Sequence, residues 1–231
     1  DAPAVTVTEV TRTGDPDQPE GIAVRVHGTF TAPNFLTGDG SPGNRFHYDT
    51  DPWAADGDPD ALPTVNPETP TLEVPFQCNI SEATVASDAP AHLVQYGHGL
   101  LGRHSEINAG NVRAMANEHN AVYCATPWAG MSESDVSNAV TSLGDFSNFV
   151  TMTDRMQQGF VNQIVLGRLM LHPAGLAALP EFQRPDGSPL IDTSQLDYDG
   201  NSQGGIMGLA LIALSPDIER AVLGVPGMNY S

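Results

Sequence analysis

The sequence predicts an α/β fold: a mostly parallel sheet flanked by helices and preceded by a β- and loop-rich region. Three observations carry this. From residue 92 onward, short apolar runs alternate with helix-length segments, and strand, helix, strand, helix in that order builds a parallel sheet with helices on its faces. Two Gly-rich loops, Gly97 to Gly102 and Gly200 to Gly205, each follow a strand-like stretch. Ligands of open α/β sheets bind at such strand ends. Before that point the texture is different, with apolar or alternating runs at Val5 to Thr8 and Ile22 to Val26 separated by long Gly/Pro/Asp stretches. The chain therefore divides into residues 1–90, the first strands of the sheet or a small appendage, and residues 91–231, part of an alternating α/β core.

Within the core, His92 to Tyr96 reads as a short strand, followed by the first Gly-rich loop and a helix from Ser105 to Asn117 that opens with a Ser cap. Ala121 to Ala125 is the next strand. A Ser-rich stretch after Pro127 carries Trp128, Met131, Phe146 and Phe149, apolar residues expected to be exposed as a lid or substrate rim. Asp154 to Leu171 places Met156, Phe160, Ile164 and Leu171 roughly on one helical face, with Pro173 beyond its end. A helix over Gln203 to Leu214 stops at Ser215-Pro216, and Arg220 to Val225 is the last strand, read as fully buried.

Composition narrows the function classes. The 231 residues hold 28 acidic against 9 basic side chains, all Arg, for a formal charge of -19. Such a surface repels phosphates and argues against nucleic-acid binding. No apolar run approaches the roughly 18 residues of a membrane span, so none is expected. Asp1-Ala2-Pro3-Ala4 lacks an initiator Met and reads as the mature end left by a signal peptide, which predicts a secreted or periplasmic protein. In that setting Cys78 and Cys124, the only two cysteines, are expected to form a disulfide, with two buried thiols as the alternative. The acidic loop Asp49 to Asp60 contains Asp56-x-Asp58-x-Asp60, a spacing like the start of a calcium loop. Ala61 replaces the Gly expected at the sixth position, so a solvated loop is the preferred reading and no cofactor or metal is expected. Asn79-Ile80-Ser81 and Asn229-Tyr230-Ser231 fit the glycosylation pattern.

The chemistry centres on Gly200-Asn201-Ser202-Gln203-Gly204. A serine on a sharp strand-to-helix turn needs small neighbours, and the helix N-terminus behind it favours negative charge developing on reaction. Its hydroxyl still needs a base. A tetrahedral oxyanion also needs preorganised N–H donors. The natural pair is the N–H of Gln203, directly after the nucleophile, and that of Leu100 in the upstream loop, with Leu101 as the close alternative. His98, Leu101, Trp128 and Met131 are expected around the substrate.

Together Tyr96-Gly97-His98-Gly99-Leu100-Leu101-Gly102 and Gly200-Asn201-Ser202-Gln203-Gly204-Gly205 resemble the α/β-hydrolase superfamily, within it the esterases and lipases with a His-Gly oxyanion loop. The resemblance implies a serine hydrolase that cleaves carboxylic esters through an acyl-enzyme on Ser202, with the His98 ring buttressing the loop. A peptidase or amidase on the same fold is the alternative, as is a non-catalytic subunit with a vestigial elbow. Ser202 to Gly205 is also similar to the Ser-Gln-Gly-Gly of cutinase-type polyester hydrolases. One departure matters. The superfamily's acid and His follow the serine in chain order, yet the 29 residues after Ser202 contain only Asp217 and Glu219 as acids and no His. The fold is therefore expected to be incomplete without a second polypeptide, the C-terminal part of the same precursor, which supplies the base, the acid and the strands beyond Arg220 to Val225.

Overall fold

The computed structural model describes residues 2–227; the sequon at Asn229 lies outside them. Seven strands form one mixed sheet in the order β1-β2-β3-β5-β4-β6-β7. The strands are β1 Val5–Arg12, β2 Ile22–Pro33, β3 Thr71–Ser81, β4 Ala91–Gly97, β5 Ala121–Ala125, β6 Ile191–Asn201 and β7 Ile218–Gly224. Pairing is antiparallel from β1 through β2 and β3 to β5, and parallel from β5 through β4 and β6 to β7. The parallel part is the one the alternating core pattern predicts. The strands of residues 1–90 continue the same sheet, joined to it where β3 pairs with β5.

Five α-helices accompany the sheet: α1 Glu82–Ala86, α2 Gly110–Glu118, α3 Val136–Gly144, α4 Phe149–Leu171 and α5 Gln203–Leu214. Right-handed crossovers fix their sides. The chain steps from β4 through α2 to β5 in one direction, then from β5 through α4 to β6 and through α5 to β7 in the other. One face of the sheet accordingly packs Val26, Phe76, Leu93, Val122 and Leu196 with Leu166, Leu169 and Leu211 of α4 and α5. The opposite face packs Val94, Tyr96 and Tyr123 with Ile107 and with Val112 and Ala116 of α2. β5 is buried along its whole length, as a strand covered on both faces must be.

Cys78 and Cys124 face each other across β3 and β5 and are disulfide-bonded. With a sequence separation of 46, the chain-entropy account gives a stabilisation of about 4 kcal/mol.

Several expectations are corrected. The helix after the first Gly-rich loop does not start at Ser105: His104–Asn108 is a 3-10 turn, and α2 begins at Gly110 with no side-chain cap. α4 starts five residues earlier than its apolar period suggests. Its buried face also carries Asp154, Gln158, Asn162 and Gln163. Gln158 donates to Pro33 O and accepts from Phe35 N–H, both at 2.9 Å, and Asp154 accepts from Phe46 N–H at 3.0 Å, so these polar groups hold the segment that follows β2. Asn79 is buried in β3 and its amide donates to Ile107 O and Asn108 Oδ1, which removes the first sequon from solvent. β7 forms where expected but is not covered: Val222 is 64% exposed and Glu219–Ala221 are also exposed.

Candidate active site

Gly97 and Gly200 are register partners on adjacent parallel strands, so the two Gly-rich loops leave the sheet side by side. This is also the switch point, where the chain reverses its direction of travel across the sheet. The helix behind Ser202 sits close against the first loop. A Cβ on Gly204 would overlap the Gly97 carbonyl oxygen, and the Tyr198 hydroxyl donates to Gly204 O at 2.6 Å. Only glycine permits that approach.

Ser202 itself has φ 55° and ψ -112°, a left-handed conformation that a residue with a Cβ rarely adopts. Its N–H donates to Gly224 O at 2.9 Å, and its carbonyl accepts the first helical bond from Ile206 N–H at 3.0 Å. The strain is held from both sides. Ser202 is half-buried at the N-terminal end of α5, whose first N–H groups have no intrahelical acceptor.

The fold is α/β-hydrolase-like. The strand order and this elbow carry that statement. No family model matches the chain, and no curated protein matches it. Among solved structures it is similar to acetyl xylan esterase 1 from Thermoanaerobacterium sp. JW/SL YS485, at 13% identity over 98% of this chain and 54% of that one, with a TM-score of 0.47. A putative acetyl xylan esterase from Bacteroides fragilis NCTC 9343 gives 11% identity, 96% and 48% coverage and a TM-score of 0.48. A putative dienelactone hydrolase from Klebsiella pneumoniae gives 15%, 69% and 57%, and 0.41. The chain thus spans about half the length of these solved structures.

The upstream loop is tightly pinned. Trp128 N–H donates to His98 Nε2 at 2.8 Å, so the ring proton sits on Nδ1, which donates to Gly99 O at 2.8 Å. Both nitrogens of His98 are thereby engaged. Burial lowers its pKa, in keeping with a neutral ring. Gly99 N–H donates to Glu106, Leu101 N–H to Met131 O at 3.1 Å, and Gly102 N–H to Gly99 O at 3.1 Å. Leu101 N–H is therefore spent within the fold, whereas Leu100 N–H meets no acceptor among the described residues.

Trp128 is not on a rim. It is fully buried, its ring edge-on to Phe160 at 5.6 Å, and its backbone N–H is the group that donates to His98. Met131 is partly buried against the core, while Phe146 and Phe149 are exposed. The Gln203 side chain is wholly buried and neither of its amide atoms has a partner among the described residues. Nothing in the sequence signals that.

His104 is pushed down to about 4, first by burial and then by His27 and His98, and its Nδ1 is buried without a partner. Asp217 pairs with Arg168. In the acidic loop Asp51 accepts from Trp53 N–H at 2.9 Å and Asp58 from Asp60 N–H at 3.0 Å, bonds that shape turns. Among the described residues no group of three or more His, Cys, Asp or Glu is placed to hold a metal ion, and no helix is long and apolar enough to cross a membrane.

Proposed function

We propose that the protein is an exported serine hydrolase of carboxylic esters in which Ser202 attacks the ester carbonyl and carries the acyl group. The observation that carries this reading is the left-handed backbone of Ser202 between β6 and α5. A non-glycine residue in that conformation is a strained feature, and strain of this kind gathers at functional turns. The N–H groups of Leu100 and Gln203 stabilise the oxyanion, and the α5 N-terminus adds its positive end. His98 holds the loop and does not act as base, since both ring nitrogens are occupied.

The base and acid come from polypeptide outside the described residues, seated against β7. The exposed parallel strand supports this, because its outer backbone groups and Val222 are otherwise left to solvent. Labelling of the intact protein with a fluorophosphonate, followed by peptide mapping, tests the reading: modification maps to Ser202, Ser202→Ala abolishes it, and p-nitrophenyl esters turn over faster than the matching anilides. Leu100→Pro, which deletes the N–H, should lower kcat about 10²–10³-fold while Leu100→Ala does not. An intact protein that resists the probe would instead be a binding subunit.

A further inference from the structure

The segment that follows β2 lies at the same end of the sheet as the elbow, since β2 runs parallel to β5. There Phe46, Tyr48 and Trp53 form a staircase of rings, with centroids 6.5 Å and 5.5 Å apart and planes at 89° and 85°. The staircase stands against the first turns of α4 and encloses a cleft of about 260 Å³ that includes Arg45, Ser147 and Asp154; a second hollow of about 480 Å³ adjoins it along His47 and Trp53. The rings are anchored: Phe46 N–H donates to Asp154 at 3.0 Å, and His47 and Thr64 are joined by backbone and ring bonds. Trp53 nevertheless leaves 74% of its surface in solvent. None of the four ion pairs of the described residues involves Arg45.

The chemistry of this cleft excludes two classes of ligand. An acyl chain would strip water from Arg45 and Asp154 and give them nothing in return. An ion of either sign would meet a like charge, Arg45 on one side and Asp154 or Asp51 on the other. A ring with an apolar face and a rim of hydroxyls satisfies both demands, because the rings supply flat contact and the Arg45, Ser147, Tyr48 and Asp154 groups supply donors and acceptors. We propose that this aromatic cleft binds a neutral saccharide, stacked on Trp53 and hydrogen-bonded at Tyr48 and Asp154. Binding there needs no nucleophile and stands independently of the hydrolase reading.

The protein contains two tryptophans, of which Trp128 is buried, so solvent-sensitive fluorescence reports Trp53. Xylohexaose or cellohexaose titrated into the intact protein should shift its emission to the blue, saturably, and reduce acrylamide quenching toward that of Trp128 alone. Ser202→Ala should bind with the same Kd, so a failed hydrolase assay leaves this result untouched. Tyr48→Phe keeps the ring and loses one hydroxyl, and should weaken binding about 5- to 10-fold. Trp53→Ala, read by calorimetry, should abolish it without changing the thermal unfolding midpoint. The proposal is overturned if the sugars leave Trp53 unprotected at millimolar concentration, or if monomeric dihexanoylphosphatidylcholine protects it and they do not.

Discussion

Replacing Ser202 by glycine should make the protein more stable while removing its nucleophile. At φ 55° and ψ -112°, Ser202 occupies a region that costs a residue with a Cβ on the order of 1–3 kcal/mol. Glycine enters that region freely but loses more backbone entropy on folding, about 0.5–1 kcal/mol. The serine side chain makes no capping bond in α5, so little else is forfeited. The net gain is about 1 kcal/mol, which for a domain of this size raises Tm by about 2–4 °C. Ser202→Ala is the control, because alanine keeps the Cβ and therefore the strain, and should unfold at the wild-type temperature. Scanning calorimetry of the three proteins reads the difference directly. If the glycine and alanine variants melt together, or glycine melts lower, then the elbow is not strained and the structural argument for Ser202 fails.

Three further outcomes are expected. Gly204→Ala drives a Cβ into the Gly97 carbonyl and should lower stability by about 2–3 kcal/mol, a Tm drop of about 4–12 °C, checked by thermal melts. The Cys78→Ala/Cys124→Ala pair opens the loop between β3 and β5 and should lose about 4 kcal/mol in urea unfolding. His104 titrates at about 4 in the fold, below its ordinary 6.5, so the unfolded chain takes up its proton first; stability falls as pH drops from about 6.5 to about 4. In His104→Gln that part of the slope, at most about 1.4 kcal/mol per pH unit, should vanish from unfolding curves measured across the window.

The parts of the site legible in the sequence are those set by short-range sterics. Gly200, Gly204 and Gly205 announce a turn that only small residues fit, and the strand and helix around Ser202 follow from local pattern. The paired Gly-rich loops become neighbours because alternating strands and helices leave few topologies. What the sequence does not reveal depends on partners distant along the chain. Asp154 and Gln158 look like the solvent side of an amphipathic helix, and their burial follows only from Phe46, Phe35 and Pro33, more than a hundred positions away. Trp128 resembles a rim aromatic until its ring is seen packed edge-on to Phe160 in the core. The failed Ser105 cap is a local miss: a 3-10 turn occupies His104–Asn108 before the α-helix can begin.

The hydrogen bond from Ser202 N–H to Gly224 O puts the nucleophile one peptide group away from the open edge of the sheet. Whatever sets the position of β7 also sets the pose of the serine. A chain laid along that edge would fix the last strand and aim the hydroxyl in the same act, so assembly and readiness to react would be one event.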